Sequence, residues 1–287
     1  MEPLARRYPD LPWVDLGVRP SPVEEHTIAG VRMLVKRDDR IGGNKARCLE
    51  PLLALPARRL LTFSSLSANH AYTTARLGRK LGLETDTVIV RWGTPGPARA
   101  ALDDVAARVV EVGGGAGAVA AAVRVWRPGT RIIPPGGASA RGALGYCGAV
   151  LELDDIPPRI YTALGTGTTT SGLLAGLMLR EADCEVVAVR VASAVAGWPW
   201  RVWRRAFGAL RLLGEAGVGR GSVRLRVVAA DGEYGEPTAS AAAAVEAARR
   251  SGLDLEETYT GKALAVLLAE RAEGAMFLNT YAAPDRD

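Results

Sequence analysis

Apolar and polar positions follow two alternating periods along this chain. Short runs rich in valine, isoleucine and leucine, typical of buried strands, are separated by segments whose apolar residues recur at helical spacing. Strands that alternate with helices in this way predict parallel sheets covered on both faces, a doubly wound α/β architecture. The predicted strands span residues 31–35, 59–63, 87–91, 109–112, 131–133, 159–163, 185–191, 223–228 and 275–278.

Helical segments and one irregular arm complete the predicted architecture. Residues 3–22 are rich in proline, so we expect an extended arm there, and we expect residues 31–35 to be the first strand. The predicted helices span residues 45–55, 69–81, 98–107, 116–125, 140–151 and 173–180.

The stretch from Val35 to Arg47 brings a lysine to the start of a helix. An apolar run leads into a charged turn, passes Gly42 and Gly43, and then opens into a helical pattern. Lys45 lies in the first turn, where the helix dipole and the nearby cation Arg47 both disfavour a protonated amine. We therefore expect a lowered pKa and a nucleophilic amine at Lys45. An ordinary helix start with a solvated lysine is the alternative.

A glycine-rich turn follows the predicted strand at residues 159–163. From Gly165 to Gly172 the chain reads Gly-Thr-Gly-Thr-Thr-Thr-Ser-Gly and then enters a helical pattern. Free backbone N–H groups at such a helix start, with nearby threonine hydroxyls, suit a phosphate monoester. The turn lacks the Gly-Lys-Ser/Thr ending of a nucleoside triphosphate P-loop and fits the dinucleotide fingerprint poorly. A purely structural strand-to-helix turn is the alternative.

Lys45 and this turn together indicate a cofactor that is both an aldehyde and a phosphate, a description that fits pyridoxal 5'-phosphate. Further motifs occur in the order in which one enzyme family carries them. They are Lys36 to Asp39, Gly43 to Arg47, Ser67-Ala68-Asn69-His70, Pro135-Gly136-Gly137, Gly142 to Tyr146, Gly165 to Thr169, Tyr234 to Thr238 and Tyr259 to Lys262. In these motifs the chain resembles the D-cysteine desulfhydrase and 1-aminocyclopropane-1-carboxylate deaminase family, which are pyridoxal-phosphate enzymes of the tryptophan synthase β-like fold type.

The resemblance covers the chain from about Pro22 to Leu278 and implies its architecture. We expect two doubly wound, mainly parallel-sheet domains of tryptophan synthase β-like type. A smaller α/β domain would span residues 48–138, and a larger pyridoxal-phosphate-binding domain would comprise residues 1–47 and 139–287. The resemblance also implies a homodimer.

The resemblance implies roles for particular residues. Lys45 would bind the cofactor aldehyde covalently and move a proton at the substrate, and Tyr234 and Tyr259 would be catalytic phenols near the substrate. The remaining cofactor contacts would come from Asn69 at the phenolic oxygen, Thr260 at the pyridine nitrogen, and Gly165, Thr166, Gly167, Thr168 and Thr169 at the phosphate. The substrate carboxylate would be received by Ser67, Ala68, Asn69 and His70. Helix capping at residues 67 and 69, and core positions for the two tyrosines, are the alternatives.

Three positions bear on the identity of the substrate. The family usually has serine where this chain has Ala68, so a hydroxyl beside the substrate is missing. Deaminase members tend to carry glutamate at the position of Thr260 and glutamine at that of His70. A neutral Thr260 hydroxyl would leave the pyridine ring unprotonated, and both features favour the desulfhydrase side of the family.

Composition and charge argue against several other classes of protein. The chain has 287 residues, 48% of them hydrophobic, and a net charge of +5, with no apolar run of membrane-spanning length and no signal-peptide core. We therefore expect a cytoplasmic globular protein without a membrane partner. Three scattered cysteines and two histidines argue against disulfides and metal sites.

The segment 198–205 interleaves tryptophans with arginines, as some nucleic-acid surfaces do. We expect instead a helix that buries its tryptophans against its own lobe or a subunit partner, with the arginines directed outward. No nucleic-acid partner is expected.

The sequence thus predicts a pyridoxal-phosphate-dependent lyase or deaminase acting on a small amino acid. Lys45 would take the α-proton, a group would leave the β-carbon, and hydrolysis of the product would give pyruvate and ammonia. One alternative is another reaction on the same fold, namely 1-aminocyclopropane-1-carboxylate deamination, β-replacement or racemisation. A second is a cofactor-binding protein without turnover. A nucleotide-binding dehydrogenase would need a cleaner glycine fingerprint than this chain has.

Overall fold

Two sheets organise the chain in the computed structural model, which describes residues 3–16, 20–67, 69–93, 95–191, 198–233 and 235–281. The strands of the larger sheet, numbered along the chain, are β1 (Val23–Ile28), β2 (Val31–Arg37), β7 (Arg159–Leu164), β8 (Glu185–Arg190), β9 (Arg224–Ala229) and β10 (Met276–Asn279). They lie in the order β1-β2-β10-β7-β8-β9. β1 is antiparallel to β2, and the other neighbouring pairs are parallel.

The smaller sheet is parallel throughout. Its strands are β3 (Arg59–Ser65), β4 (Glu84–Val90), β5 (Arg108–Val112) and β6 (Thr130–Ile133). They lie in the order β5-β4-β3-β6. All four fall inside residues 48–138, the span predicted for the smaller domain, while the domain boundaries themselves stay a prediction.

Helices cover the sheets. They are α1 (Pro3–Arg7), α2 (Gly43–Leu53), α3 (Asn69–Lys80), α4 (Pro97–Val105), α5 (Gly115–Val125), α6 (Ala140–Leu151), α7 (Thr168–Leu179), α8 (Pro199–Leu212), α9 (Ala239–Arg250) and α10 (Thr260–Ala269). Two short 3-10 turns lie at Asp38–Ile41 and Pro135–Gly137. No helix in the described ranges is both long and apolar enough to cross a membrane.

The core of the larger sheet lies on both of its faces. Ile160 and Val186 belong to a cluster with residues of α6, α7 and α8, whereas their chain neighbours Tyr161 and Val187 belong to a cluster with residues of α9 and α10. Successive strand residues point to opposite faces, so these strands are apolar throughout because both faces are covered. The doubly wound α/β prediction is confirmed.

Close packing of α2 on α6 fixes the helix that carries the predicted key lysine. Gly145 of α6 lies against the backbone of α2, where an added Cβ would stand 2.0 Å from the Arg47 carbonyl oxygen. A larger side chain at residue 145 would therefore push α2 away from the core.

The structure corrects two boundaries. The prediction that residues 31–35 form the first strand is wrong, since β1 precedes them as an antiparallel edge strand. Its sequence Val-Glu-Glu-His-Thr-Ile carries charged residues because the edge strand is only partly covered, and Ile28 alone is fully buried. α7 begins at Thr168 rather than at residue 173, since buried Thr and Ser residues form its first turn despite their modest helix propensity.

The proline-rich N-terminal segment is only partly an extended arm. Residues 3–7 form α1, whose Leu4 is fully buried. Further along, the Trp13 indole N–H and the Leu16 backbone N–H donate to the Glu50 carboxylate of α2 at 3.1 and 3.0 Å. These bonds attach the arm to the helix that bears Lys45.

The tryptophan- and arginine-rich segment forms the start of α8. Two of its three tryptophans are not buried against their own lobe, and burial against a subunit partner stays a prediction. Trp198 and Trp200 are exposed, and the Arg201 guanidinium lies over both rings. Trp203 is half-buried and stacks on Phe207. Arginine stacking keeps part of the exposed indole surface out of water.

Candidate active site

A cavity of about 490 Å³ lies where the two sheets present the carboxyl ends of their strands. Residues at or just beyond the ends of β3, β4, β7 and β10 line it, together with the first turns of α2, α3 and α7. In parallel α/β sheets this edge is the usual place for a ligand. The predicted site residues that line the cavity are Lys45, Ser67, Asn69, His70, Gly165, Thr166, Gly167, Thr168, Thr169 and Tyr259.

Lys45 is the third residue of α2 and its side chain lines the cavity. Gly42, in the left-handed region at φ +87°, turns the chain sharply into the helix. The Lys45 amine donates to the Asn44 side-chain oxygen at 2.7 Å, and the Asn44 backbone N–H donates to the Thr280 carbonyl at 3.2 Å. Burial lowers the pKa of the Lys45 amine, and this direction matches the prediction.

The prediction that repulsion from Arg47 lowers the Lys45 pKa needs correction. Arg47 is fully buried and its guanidinium donates to Asp38 at 2.9 Å and to Glu152 at 2.7 Å. Two carboxylates thus balance its charge inside the protein. Loss of water around Lys45, rather than repulsion from Arg47, is the main reason why its protonated form is disfavoured.

The glycine-rich turn joins β7 to α7 and faces the same cavity. Gly167 precedes the helix at φ +85°, and α7 is buried from its first residue. The first N–H groups of a helix have no partner within it, so they are available to an anion. The Thr166 and Thr168 hydroxyls, 3.2 Å apart, lie beside them, and the Arg205 guanidinium donates to the Thr166 carbonyl. The arrangement suits a phosphate monoester.

The residues present therefore fit pyridoxal phosphate. A lysine amine with a lowered pKa and an anion site at a helix start share one cavity. The Pro135–Gly137 turn closes over the anion site so tightly that a Cβ at Gly136 would lie 2.5 Å from the Thr166 hydroxyl oxygen. Such an approach leaves room for backbone alone.

Gly136→Ala should weaken binding of pyridoxal phosphate. We expect about a tenfold loss of affinity, consistent with an overpacking cost of about 1–3 kcal/mol next to the anion site. Absorbance titration of the protein with the cofactor measures the effect. Gly30→Ala is the matched control, since Gly30 also has a positive φ but a Cβ there meets nothing within 4 Å. Equal affinities of the two variants would contradict the prediction.

The segment predicted to receive the substrate carboxylate leads into α3. Ser67 lines the cavity and its hydroxyl is 2.9 Å from that of Ser65. Asn69 is the exposed first residue of α3 and also lines the cavity. Ala68 lies outside the described residues. The roles of these residues stay predictions.

His70 is a buried neutral imidazole. Burial, and then the nearby charge of Lys45, lower its pKa to about 3. The Thr62 hydroxyl donates to the Ile133 carbonyl at 3.0 Å and lies 3.1 Å from His70 Nε2. Because its pKa is so low, His70 meets a ligand without a positive charge.

The three site residues predicted in the C-terminal part of the chain differ in where the structure places them. Tyr259 lines the cavity beside the glycine-rich turn, where a Cβ at Gly165 would lie 3.3 Å from its ring. Thr260 is buried but is absent from the described lining of the cavity. Its hydroxyl lies 3.1 Å from the Glu256 carboxylate. Tyr234 lies outside the described residues.

Glu256 is a cavity residue that sequence reasoning missed. Its carboxylate accepts the backbone N–H groups of Thr258, Tyr259 and Thr260 at 2.7, 2.9 and 2.7 Å, and so caps the start of α10. An acidic residue just ahead of a helix start is the signal that could have found it.

The wall formed by the smaller sheet and α3 was also missed. Its residues come from three separate segments of the chain, namely β3, α3 and the end of β4, which meet only after folding. They are Phe63, Tyr72, Thr73, Arg76, Val90 and Trp92.

The described residues contain no group of three or more His, Cys, Asp or Glu side chains placed to hold a metal ion.

Comparison with known proteins gives consistent results. A family model described as "Pyridoxal-phosphate dependent enzyme" matches residues 14–276. A Pyrococcus abyssi protein provisionally named 1-aminocyclopropane-1-carboxylate deaminase is 33% identical, over 89% of this chain and 86% of the relative. D-cysteine desulfhydrase of Klebsiella pneumoniae is 29% identical, over 90% of this chain and 88% of the relative. A crystal structure of an ACC deaminase homologue superposes with a TM-score of 0.84 at 27% identity, over 98% and 94% of the two chains.

Proposed function

Since the chain belongs to the pyridoxal-phosphate-dependent enzyme family, we propose that it is a lyase of D-cysteine desulfhydrase type. It would act on a small amino acid by removal of the α-proton and β-elimination, with pyruvate and ammonia as the final products. The observation that carries the proposal is the shared cavity of Lys45 and the glycine-rich anion site.

The residues of this chain have distinct parts in the proposed reaction. When bound, pyridoxal phosphate supplies an electron sink that stabilises negative charge at the substrate α-carbon. The Lys45 amine, whose pKa burial lowers, takes the α-proton. Tyr259 and Tyr234 assist proton transfer near the β-carbon.

Orientation comes from the remaining site residues. By the family resemblance, the turn from Gly165 to Thr169 would hold the phosphate, Asn69 would hold the phenolic oxygen, and Thr260 would face the pyridine nitrogen. The substrate carboxylate is received by Ser67, Ala68, Asn69 and His70. These roles are supported by the cavity lining, which includes all of these residues except Ala68 and Thr260.

Elimination is favoured over ring-opening deamination by two features. Thr260 offers a hydroxyl rather than a carboxylate, and burial keeps His70 neutral. The proposal includes a cytoplasmic homodimer, on the basis of the family resemblance.

An amino-acid panel tests the proposal. The protein, loaded with pyridoxal phosphate, is incubated with both enantiomers of cysteine, serine and 3-chloroalanine, and with 1-aminocyclopropane-1-carboxylate. We expect D-cysteine to give pyruvate, ammonia and sulfide in equal amounts. 2-Oxobutanoate from the cyclopropane substrate, or enantiomer exchange without pyruvate, would favour the alternative reactions. Absence of product from every amino acid would overturn the lyase proposal.

A further inference from the structure

An arginine of α8 contacts the glycine-rich turn without lining the cavity. Arg205 is half-buried, and its guanidinium donates to the Thr166 carbonyl. The same guanidinium reaches the next residue, since a Cβ at Gly167 would lie 3.3 Å from Arg205 Nη1. Thr166 and Gly167 line the cavity, whereas Arg205 is absent from its described lining. Arg205 therefore lies behind the turn as seen from the cavity.

Close packing of α8 on the first turn of α7 fixes the place of Arg205. The Ser171 hydroxyl lies 2.7 Å from the Gly167 carbonyl oxygen and 3.0 Å from the Val202 carbonyl oxygen of α8. Val202 is fully buried, and a Cβ at Gly167 would lie 3.0 Å from one of its methyl groups. Val202 and Arg205 are three residues apart and so project from one face of α8. That face is pressed against the turn.

The contact with Arg205 orients one donor of the anion site. In a trans peptide the C=O and N–H groups point in opposite directions. Because the Thr166 carbonyl accepts from Arg205, the Gly167 N–H is directed to the opposite side of the turn. Gly167 lines the cavity, so an anion there can accept this N–H.

The positive charge of Arg205 has no negative partner among the residues that the structure describes. Burial, and then the charges of Arg201 and Arg204, lower its pKa, and no described carboxylate acts in the other direction. Arginine nevertheless keeps its proton in proteins. The two neighbouring arginines both lie over the Trp200 ring, whereas Arg205 points to the turn. A partly buried charge without a partner is unfavourable until a ligand supplies the opposite charge.

We propose that Arg205 is the counter-charge of the cofactor phosphate and positions the turn that binds it. A phosphate dianion at the first turn of α7 would lie across the Thr166–Gly167 peptide from the guanidinium, where protein rather than water separates the two charges and screens them weakly. Arg205 is a positioning residue, because it acts on the phosphate through the turn. The inference concerns cofactor binding and does not depend on which amino acid is the substrate.

Cofactor affinity with and without the phosphate group tests the proposal. The full chain, freed of cofactor, is titrated with pyridoxal phosphate and with pyridoxal, and absorbance reports binding. We expect Arg205→Gln to bind pyridoxal phosphate about 10- to 100-fold more weakly than wild type, as loss of a charged partner would give. Its affinity for pyridoxal should equal that of wild type. Arg205→Lys keeps the charge and should recover most of the lost affinity. Arg204→Gln, at the exposed neighbouring position, is the control and should match wild type with both ligands.

Phosphorus NMR of the cofactor-loaded protein gives a second readout that needs no turnover. A phosphate monoester loses its second proton with a pKa of about 6 in water, and a nearby cation lowers this value. The phosphorus resonance of the bound cofactor should therefore stay constant in wild type between about pH 5 and pH 8 and should move with pH in Arg205→Gln.

Three results would overturn the inference. They are a wild-type resonance that titrates like that of the free cofactor, equal losses of affinity for pyridoxal and pyridoxal phosphate in Arg205→Gln, and an Arg205→Lys variant as weak as Arg205→Gln. The first of these uses wild type alone, so the inference stays open to refutation even if Arg205→Gln does not fold. If no amino acid is eliminated, the proposed lyase function fails, and both binding measurements still decide the role of Arg205.

Discussion

Lys45→Ala should abolish turnover while the fold remains intact. Lys45 lines the cavity with the anion site, whereas the other three lysines of the chain are placed elsewhere. Lys36 is buried in an ion pair with Glu152, Lys262 donates to the Glu233 carbonyl, and Lys80 is exposed at the end of α3. We expect a loss in kcat of at least about a thousandfold, because proton transfer and attachment of the cofactor both disappear.

Two measurements check this result. Steady-state assay gives the loss of kcat, and borohydride reduction followed by peptide mapping locates the lysine that carries the cofactor. Lys80→Ala is the control and should match wild type in both. Label on any other lysine, or turnover by Lys45→Ala within tenfold of wild type, would refute the assignment.

Local signals in the sequence were sufficient to predict two of the features that line the cavity. The helix start that carries Lys45 and the glycine-rich turn before α7 are each specified by a few neighbouring residues. Gly42 and Gly167 lie in the left-handed region, which favours glycine, so each turn leaves a local signature in the sequence. Recognition of such motifs in family order then gave the fold type as well.

Other features depend on contacts that sequence alone does not contain. Trp92 and Arg76 reach the cavity only because β4 and α3 pack side by side. Thr260 was assigned from its motif, yet its hydroxyl meets Glu256, four residues earlier, once α10 is capped. Hydropathy alone predicts that Trp200 is buried. It is exposed, because burial depends on which elements the fold packs beside α8.

Arg47→Met should destabilise the protein by about 3–5 kcal/mol, because removal of one partner from a buried ionic network leaves the others uncompensated. Arg47 bridges Asp38 and Glu152, and Lys36 contacts Glu152 at 2.7 Å. All four side chains are buried, so the network has two positive and two negative charges away from water. Urea unfolding at pH 7 measures the loss. Arg224→Met, which breaks an exposed pair with Asp183, is the control and should unfold like wild type.

The same network should make stability fall in acid. Burial alone would raise the pKa of Asp38 and Glu152, but Arg47 and Lys36 outweigh it and hold both pKa values below the ordinary range. A carboxylate with a lower pKa in the folded state stabilises the fold above its unfolded pKa of about 4, and this contribution is lost as the pH falls through the folded value. The free energy of unfolding of wild type should therefore decrease below about pH 4. For Glu152→Gln, the free energy of unfolding should be lower than that of wild type at pH 7 and should decrease less steeply in acid. If plots of unfolding free energy against pH were parallel for wild type and Glu152→Gln, the pairing of Glu152 would contribute nothing to the acid sensitivity.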